Sequence, residues 1–188
     1  MEAFFVSTGL VALAEMGDKT QLLSLILAAR FRKPWTIAAG ILVATLANHA
    51  LAGALGSWVQ AQLGAQVLRW VLGLSFIAMA VWMLIPDKLD EDDEPRAASR
   101  LGVFGTTVVA FFLAEMGDKT QIATVALAAQ FGQWAAVVAG TTLGMMIANV
   151  PVVWFGECLV KKVPIRVVHL VSAAIFAVLG IVALMGWG

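Results

Sequence analysis

The stretch Glu15-Met16-Gly17-Asp18-Lys19-Thr20-Gln21 recurs, letter for letter, as Glu115-Met116-Gly117-Asp118-Lys119-Thr120-Gln121. Both copies interrupt long apolar runs, where an Asp or Lys at the centre of a membrane helix costs about 2.5–3.5 kcal/mol on insertion scales. Ionisable groups at such positions are read as functional by default, because nothing else repays that cost. The same order of groups, twice in one chain, points to a duplicated unit whose copies share one task.

The surrounding composition sets the class. The chain is 61% hydrophobic and 13% charged, against about 25% charged residues in ordinary soluble domains. A soluble fold of this length has no interior large enough for that much apolar surface, so the expected class is an all-α polytopic membrane protein. Six segments reach the length of about 20 apolar residues that a spanning helix needs: 3–29, 35–57, 67–86, 101–129, 134–157 and 164–187. The first is read as a membrane helix of the mature protein, since no basic region precedes it and it is too long for a signal sequence. Pro34 and Pro164 suit the first turn of a helix, where a missing N–H is harmless.

The repeat extends beyond the seven-residue string. At an offset of 100, Ala28-Ala29 matches Ala128-Ala129, Phe31 matches Phe131, Gly40 matches Gly140 and Phe76 matches Phe176; after a one-residue slip, Ala47-Asn48 matches Ala148-Asn149. The chain divides into a first three-helix repeat at 1–86, an acidic linker at 87–100 and a second three-helix repeat at 101–188. An odd number of spans per repeat sends the second copy into the membrane from the opposite side. The expectation is six transmembrane helices arranged as two inverted-topology repeats about an axis in the membrane plane.

Loop charges test that arrangement. Alternating the joints places Arg30, Arg32, Lys33, Lys88, Arg96, Arg100, Lys161, Lys162 and Arg166 on one side and only Arg69 on the other. By the positive-inside rule the first side is cytoplasmic. Both termini then face outward and the linker faces the cytoplasm. Trp35, Trp58, Trp70, Trp134 and Trp187 fall at segment ends, with Trp82 and Trp154 about one turn away, as an interfacial aromatic belt requires.

On a continuous helix, Glu15, Asp18 and Lys19 share one face, with Gly17 between the acids allowing unwinding or close approach. Inversion brings Glu115 and Asp118 to the same midplane. The expected metal site is a four-carboxylate cluster of Glu15, Asp18, Glu115 and Asp118, with Gln21, Gln121, Asn48 and Asn149 as neutral oxygen donors. Gly17, Lys19, Thr20, Gly117, Lys119 and Thr120 support it. Four carboxylates and two lysines leave about two negative charges, enough for one divalent cation or two protons. Oxygen ligation favours hard ions such as Ca²⁺ and Mn²⁺. A carboxyl group must be deprotonated to bind metal, so metal and protons displace each other. This is the minimal design of an antiporter.

Blander readings stand beside these. Glu15–Lys19 and Glu115–Lys119 also fit buried intrahelical ion pairs, though these leave Asp18 and Asp118 without a role. Asn48 and Asn149 equally fit interhelical hydrogen bonding. Met16, Met116, Ser24 and Thr124 suit packing. His49 adjoins Asn48 and is weighed as a proton relay; since it has no counterpart in the other half, ligation is the lesser reading. His169 is interfacial, and Pro151 is expected to kink the fifth span near Asn149. Cys158 is the single cysteine, which excludes an internal disulfide and a thiolate metal site. Glu157 fits a vestibule acid or a partner for Lys161. The joint at 87–94 is a solvated linker or a cation-concentrating funnel.

The paired E-φ-G-D-[KR]-[ST] motifs, one per three-helix half, resemble the signature of the Gdt-one family of Ca²⁺/Mn²⁺:H⁺ antiporters, within the lysine-exporter superfamily. The resemblance covers essentially the whole chain. It implies a secondary transporter and not an enzyme, carrying Mn²⁺ or Ca²⁺ out of the cytosol against entering protons. Its small size resembles a bacterial manganese exporter of the inner membrane. No cofactor is expected. The partners expected are the metal ion and the lipid bilayer, with no nucleic acid; the sequence carries no signal of oligomeric state. Two rival functions remain: an exporter of cationic amino acids, which the paired lysines oppose, and a membrane-embedded lipid pyrophosphatase, which lacks phosphate-clamping residues beside the acids.

Overall fold

The structure is a computed structural model that describes residues 1–85, 101–156 and 164–186. The acidic joint, Glu157, Cys158, Lys161, Lys162 and Trp187 lie outside the described residues.

Helices form throughout and no strand is present among the described residues. In chain order they are α1 (Glu2–Glu15), α2 (Lys19–Phe31), α3 (Pro34–Gln62), α4 (Ala65–Trp82), α5 (Gly102–Glu115), α6 (Lys119–Phe131), α7 (Trp134–Phe155) and α8 (Ile165–Met185). Four of them, α3, α4, α7 and α8, are long and apolar enough to cross a membrane. The others have 14 or 13 residues, about 20 Å each, and fall short of the ~30 Å hydrocarbon core singly.

The short helices are halves of longer runs that break at the repeated motif, which corrects the expectation of one continuous helical face. Glu15 closes α1, Met16 is extended, Gly17 has φ +87°, and Asp18 caps α2 in an extended conformation. The second copy repeats this, with Gly117 at φ +78°. Only glycine takes that left-handed conformation without steric cost. Three residues of non-helical backbone therefore separate Glu15 from Lys19, and the i, i+4 pairing no longer applies.

The helices pack reciprocally. The first half-helix α1 lies along α7 while its counterpart α5 lies along α3, α2 touches α7 as α6 touches α3, and α3 crosses α7 at the centre. On the flank α4 pairs with α8, where the matched rings of Phe76 and Phe176 meet with centroids 6.2 Å apart. Small residues permit these approaches, as in membrane bundles generally. A Cβ on Gly40 of α3 would lie 2.7 Å from Thr107 Cβ of α5, and one on the matched Gly140 of α7 would lie 2.5 Å from the Phe4 carbonyl of α1.

Polarity is inverted relative to a soluble bundle. Leu42, Leu46, Leu51 and Leu55 of α3 are exposed, whereas Thr45, Asn48 and His49 of the same helix are fully buried. An apolar exterior around a polar interior is what a lipid solvent selects. The chain is an integral, polytopic membrane protein. Trp35, Trp58, Trp70, Trp134 and Trp154 are exposed at or near helix ends, in keeping with an interfacial belt.

Candidate functional site

The two breaks meet at the centre of the bundle. Glu15 and Glu115 are completely buried, Asp118 nearly so, and one carboxylate oxygen from each lies within 4.8 Å of the others. That spacing is about twice the 2.3–2.6 Å of a Ca²⁺–oxygen bond, so one ion can touch all three.

Each break is held by its own motif. Thr20 Oγ1 donates to Glu15 Oε2 at 2.5 Å, and Thr120 Oγ1 donates to Glu115 Oε2 at 2.9 Å. The other oxygen, Oε1 of each Glu, has no hydrogen-bond partner among the described residues. A hydroxyl thus orients each carboxylate and leaves one oxygen for a cation. Gln21 and Gln121 reach back to accept from the N–H of Gly17 and Gly117, at 2.9 and 2.7 Å. These bonds satisfy donors that the helix start leaves orphaned. Threonine and glutamine therefore sit where the broken helix demands them.

The amide groups also tie the halves together. Gln121 Nε2 donates to Asn48 Oδ1 at 2.5 Å, and Asn48 Nδ2 donates to the Phe112 carbonyl at 3.3 Å. Ser24 Oγ donates to Asn149 Oδ1 at 3.0 Å, while Asn149 Nδ2 donates to the Met145 carbonyl at 3.2 Å. Gln21 Nε2 donates to the Ala148 carbonyl at 2.9 Å. Pro151 stands inside α7, which runs on to Phe155. Thr124 bonds back to the Thr120 carbonyl in its own helix.

Of the four expected carboxylates, three make up the close group among the described residues. Asp18 is buried, at 3% exposure, but is not part of the group formed by Glu15, Glu115 and Asp118. Both lysines reach across to the other half. Lys19 Nζ pairs with Asp118 Oδ1 of the other half at 3.5 Å. Lys119 Nζ instead donates to the Ile85 carbonyl at 2.9 Å and lies 5.9 Å from the Trp82 ring centroid. The intrahelical pairs Glu15–Lys19 and Glu115–Lys119 are not the arrangement found. A Cβ on Gly17 would lie 2.7 Å from Ile165 Cγ2, whereas among the described residues nothing stands within 4 Å of one on Gly117. Met16 is half-buried and Met116 exposed.

Two features escaped the sequence reading: the cross-repeat Lys19–Asp118 pair and the approach of His49 Nε2 to within 3.9 Å of Glu115 Oε2. The place of His49 beside Asn48 was the one signal for the second. His169 of α8 is half-buried.

Three carboxyl groups gathered with Lys19 at their edge are suited to a divalent cation and to protons in turn. Known proteins agree with that chemistry. The family model described as "Divalent cation/proton antiporter GDT1" matches residues 3–91 and 103–187. A Vibrio cholerae protein described as a "Putative manganese exporter" is 50% identical over 184 residues, spanning 96% of this chain and 90% of that protein. A GDT1-like protein of Synechocystis is 28% identical over 97% of each chain. GDT1-like protein 5 of Arabidopsis thaliana is 26% identical over 98% of this chain and 96% of its own length. No solved structure matches. With the motif copies at its centre and the family match on both sides of the linker, the chain belongs to the GDT1 family of divalent cation/proton antiporters.

Proposed function

We propose that this chain exports Mn²⁺, with Ca²⁺ as a second cargo, from the bacterial cytosol in exchange for entering protons. The observation that carries the reading is the trio Glu15, Glu115 and Asp118, buried together and drawn from both motif copies. The manganese assignment is supported by the similarity to the Vibrio protein. The ion binds the free oxygens of the two glutamates and Asp118. Gln21, Gln121, Asn48 and Asn149 hold the broken backbone and exchange a hydrogen bond for the ion when the site rearranges. Asp18 enters the coordination in the alternate state, in which Lys19 releases Asp118. Metal and protons compete for the same oxygens, so loading one expels the other.

The reading includes the architecture. The half-helix pairs α1–α2 and α5–α6 each make one broken span, giving six spans in two inverted repeats, 1–86 and 101–188. Reciprocal packing of α1 on α7 and α5 on α3 supports this. The carboxyl ends of α1 and α5, the negative ends of their dipoles, then converge at mid-membrane, as in transporters that bind cations at discontinuous helices. Both termini lie outside and the 87–100 linker lies in the cytoplasm.

Two measurements test the proposal. Purified protein is heated with Mn²⁺, Ca²⁺ or lysine; the divalent ions raise its unfolding temperature and lysine does not. Stabilisation by lysine alone would refute the metal reading. A C-terminal alkaline phosphatase fusion is active in whole cells; an inactive fusion paired with a fluorescent C-terminal GFP fusion would refute the topology.

A further inference from the structure

His49 is a fully buried imidazole beside the carboxylate trio, and neither of its ring nitrogens has a hydrogen-bond partner among the described residues. Buried polar atoms are satisfied in all but a few cases, so an orphaned ring in the middle of a polar bundle calls for a ligand. Its Nε2 faces Glu115 Oε2 at 3.9 Å. That gap is too long for a hydrogen bond, so the ring stands unbonded against the carboxyl group whose other oxygen, Oε1, is left for the ion. The preceding residue, Asn48, is anchored on Gln121 and on the Phe112 carbonyl, which fixes this turn of α3 against the second motif. After the repeat slip the matching residue is Val150, so the second half has no imidazole at the equivalent position.

We propose that His49 supplies the one nitrogen ligand of the transported-ion site and thereby sets its preference for a first-row transition ion such as Mn²⁺ over Ca²⁺. The proposal rests on the reading of Glu15, Glu115 and Asp118 as that site. Ca²⁺ and Mg²⁺ take oxygen ligands, and replacing one oxygen by imidazole weakens their hold. Transition ions accept imidazole readily, with affinity rising along the series from Mn²⁺. Three carboxylates alone give little discrimination between Ca²⁺ and Mn²⁺; three carboxylates and an imidazole favour the latter.

The chain has two histidines, His49 and His169, which makes the test clean. Mn²⁺ is bound to the full-length, tag-free protein and nitrogen coupling is read by pulsed electron paramagnetic resonance. The wild type shows ¹⁴N modulation, which converts to the ¹⁵N pattern when histidine is ¹⁵N-labelled; this arm needs no substitution and survives a variant that fails to fold. The signal persists in His169→Gln and vanishes in His49→Gln. The ratio of Mn²⁺ to Ca²⁺ affinity falls about tenfold or more in His49→Gln, the scale on which metal sites respond to lost partners. Bound Mn²⁺ without nitrogen modulation in the wild type, or an unchanged affinity ratio in a folded His49→Gln, overturns the proposal while leaving the carboxylate site standing. A wild type that binds neither Mn²⁺ nor Ca²⁺ overturns the site itself, and with it this proposal.

Discussion

Alanine at Gly140 and Gly144 should separate α1 from α7 and loosen the ion site from a distance. A Cβ at Gly140 would sit 2.5 Å from the Phe4 carbonyl oxygen and 3.0 Å from Ser7 Cβ; one at Gly144 would sit 2.6 Å from the Thr8 carbonyl oxygen and 2.9 Å from the Ala12 nitrogen. Carbon and carbonyl oxygen approach to about 3.3 Å at closest in helix contacts, so each alanine demands a displacement of about 0.7–0.8 Å. The closest opposing atoms, the Phe4 and Thr8 carbonyl oxygens, are α1 backbone, which has no rotamer to yield. Overpacking of this kind costs about 1–3 kcal/mol, offset by at most ~1 kcal/mol of helix propensity. Gly9→Ala is the control, because nothing lies within 4 Å of its Cβ position; it should leave stability unchanged or raise it by up to ~1 kcal/mol. The assay is thermal unfolding in detergent together with Mn²⁺ affinity, since α1 ends on Glu15 and carries its carboxylate along. Gly140→Ala and Gly144→Ala variants as stable as Gly9→Ala, with unaltered Mn²⁺ affinity, would refute the close α1–α7 contact and its control of Glu15.

Glu115→Gln should weaken Mn²⁺ binding about a hundredfold or more by calorimetry, the equivalent of the ~3–5 kcal/mol lost when one partner of a buried charge pair is removed; a change under threefold would take Glu115 out of the site. Thr20→Val strips Glu15 Oε2 of its hydroxyl donor and should lower stability by about 1–3 kcal/mol, with Mn²⁺ affinity falling too; an unchanged unfolding temperature would deny the hydroxyl its orienting role. Apparent Mn²⁺ affinity should weaken as pH falls, by up to about tenfold per unit for each proton displaced. A pH-independent affinity between pH 6 and 8 would remove the competition on which exchange depends.

The membrane class, the duplication and the identity of the central acids were legible because they depend on local composition and on an unbroken string of residues. Gly17 and Gly117 signalled possible unwinding, yet nothing local says that α1 stops at Glu15 and α2 starts at Lys19. That break is stabilised by Gln21 and Gln121 folding back onto glycine N–H groups. Residue spacing was also blind to the asymmetry of the halves. Asp18 and Asp118 occupy identical seven-residue strings, but only Asp118 groups with the two glutamates; Lys19 reaches Asp118 and Lys119 reaches the Ile85 carbonyl. Such differences lie in the packing between the halves, which the strings themselves do not encode. His49 was weighed as a ligand from its sequence neighbour; its facing of Glu115 emerged only from the crossing of α3 with the second break.

The most direct test of the central claim is Mn²⁺ flux in proteoliposomes with a pH gradient imposed in either direction. Mn²⁺ should move toward the more acidic compartment while protons leave it, reverse when the gradient is reversed, and stop in Glu115→Gln. Flux that ignores the gradient, or that persists in Glu115→Gln, would contradict exchange of metal for protons at the buried carboxylates.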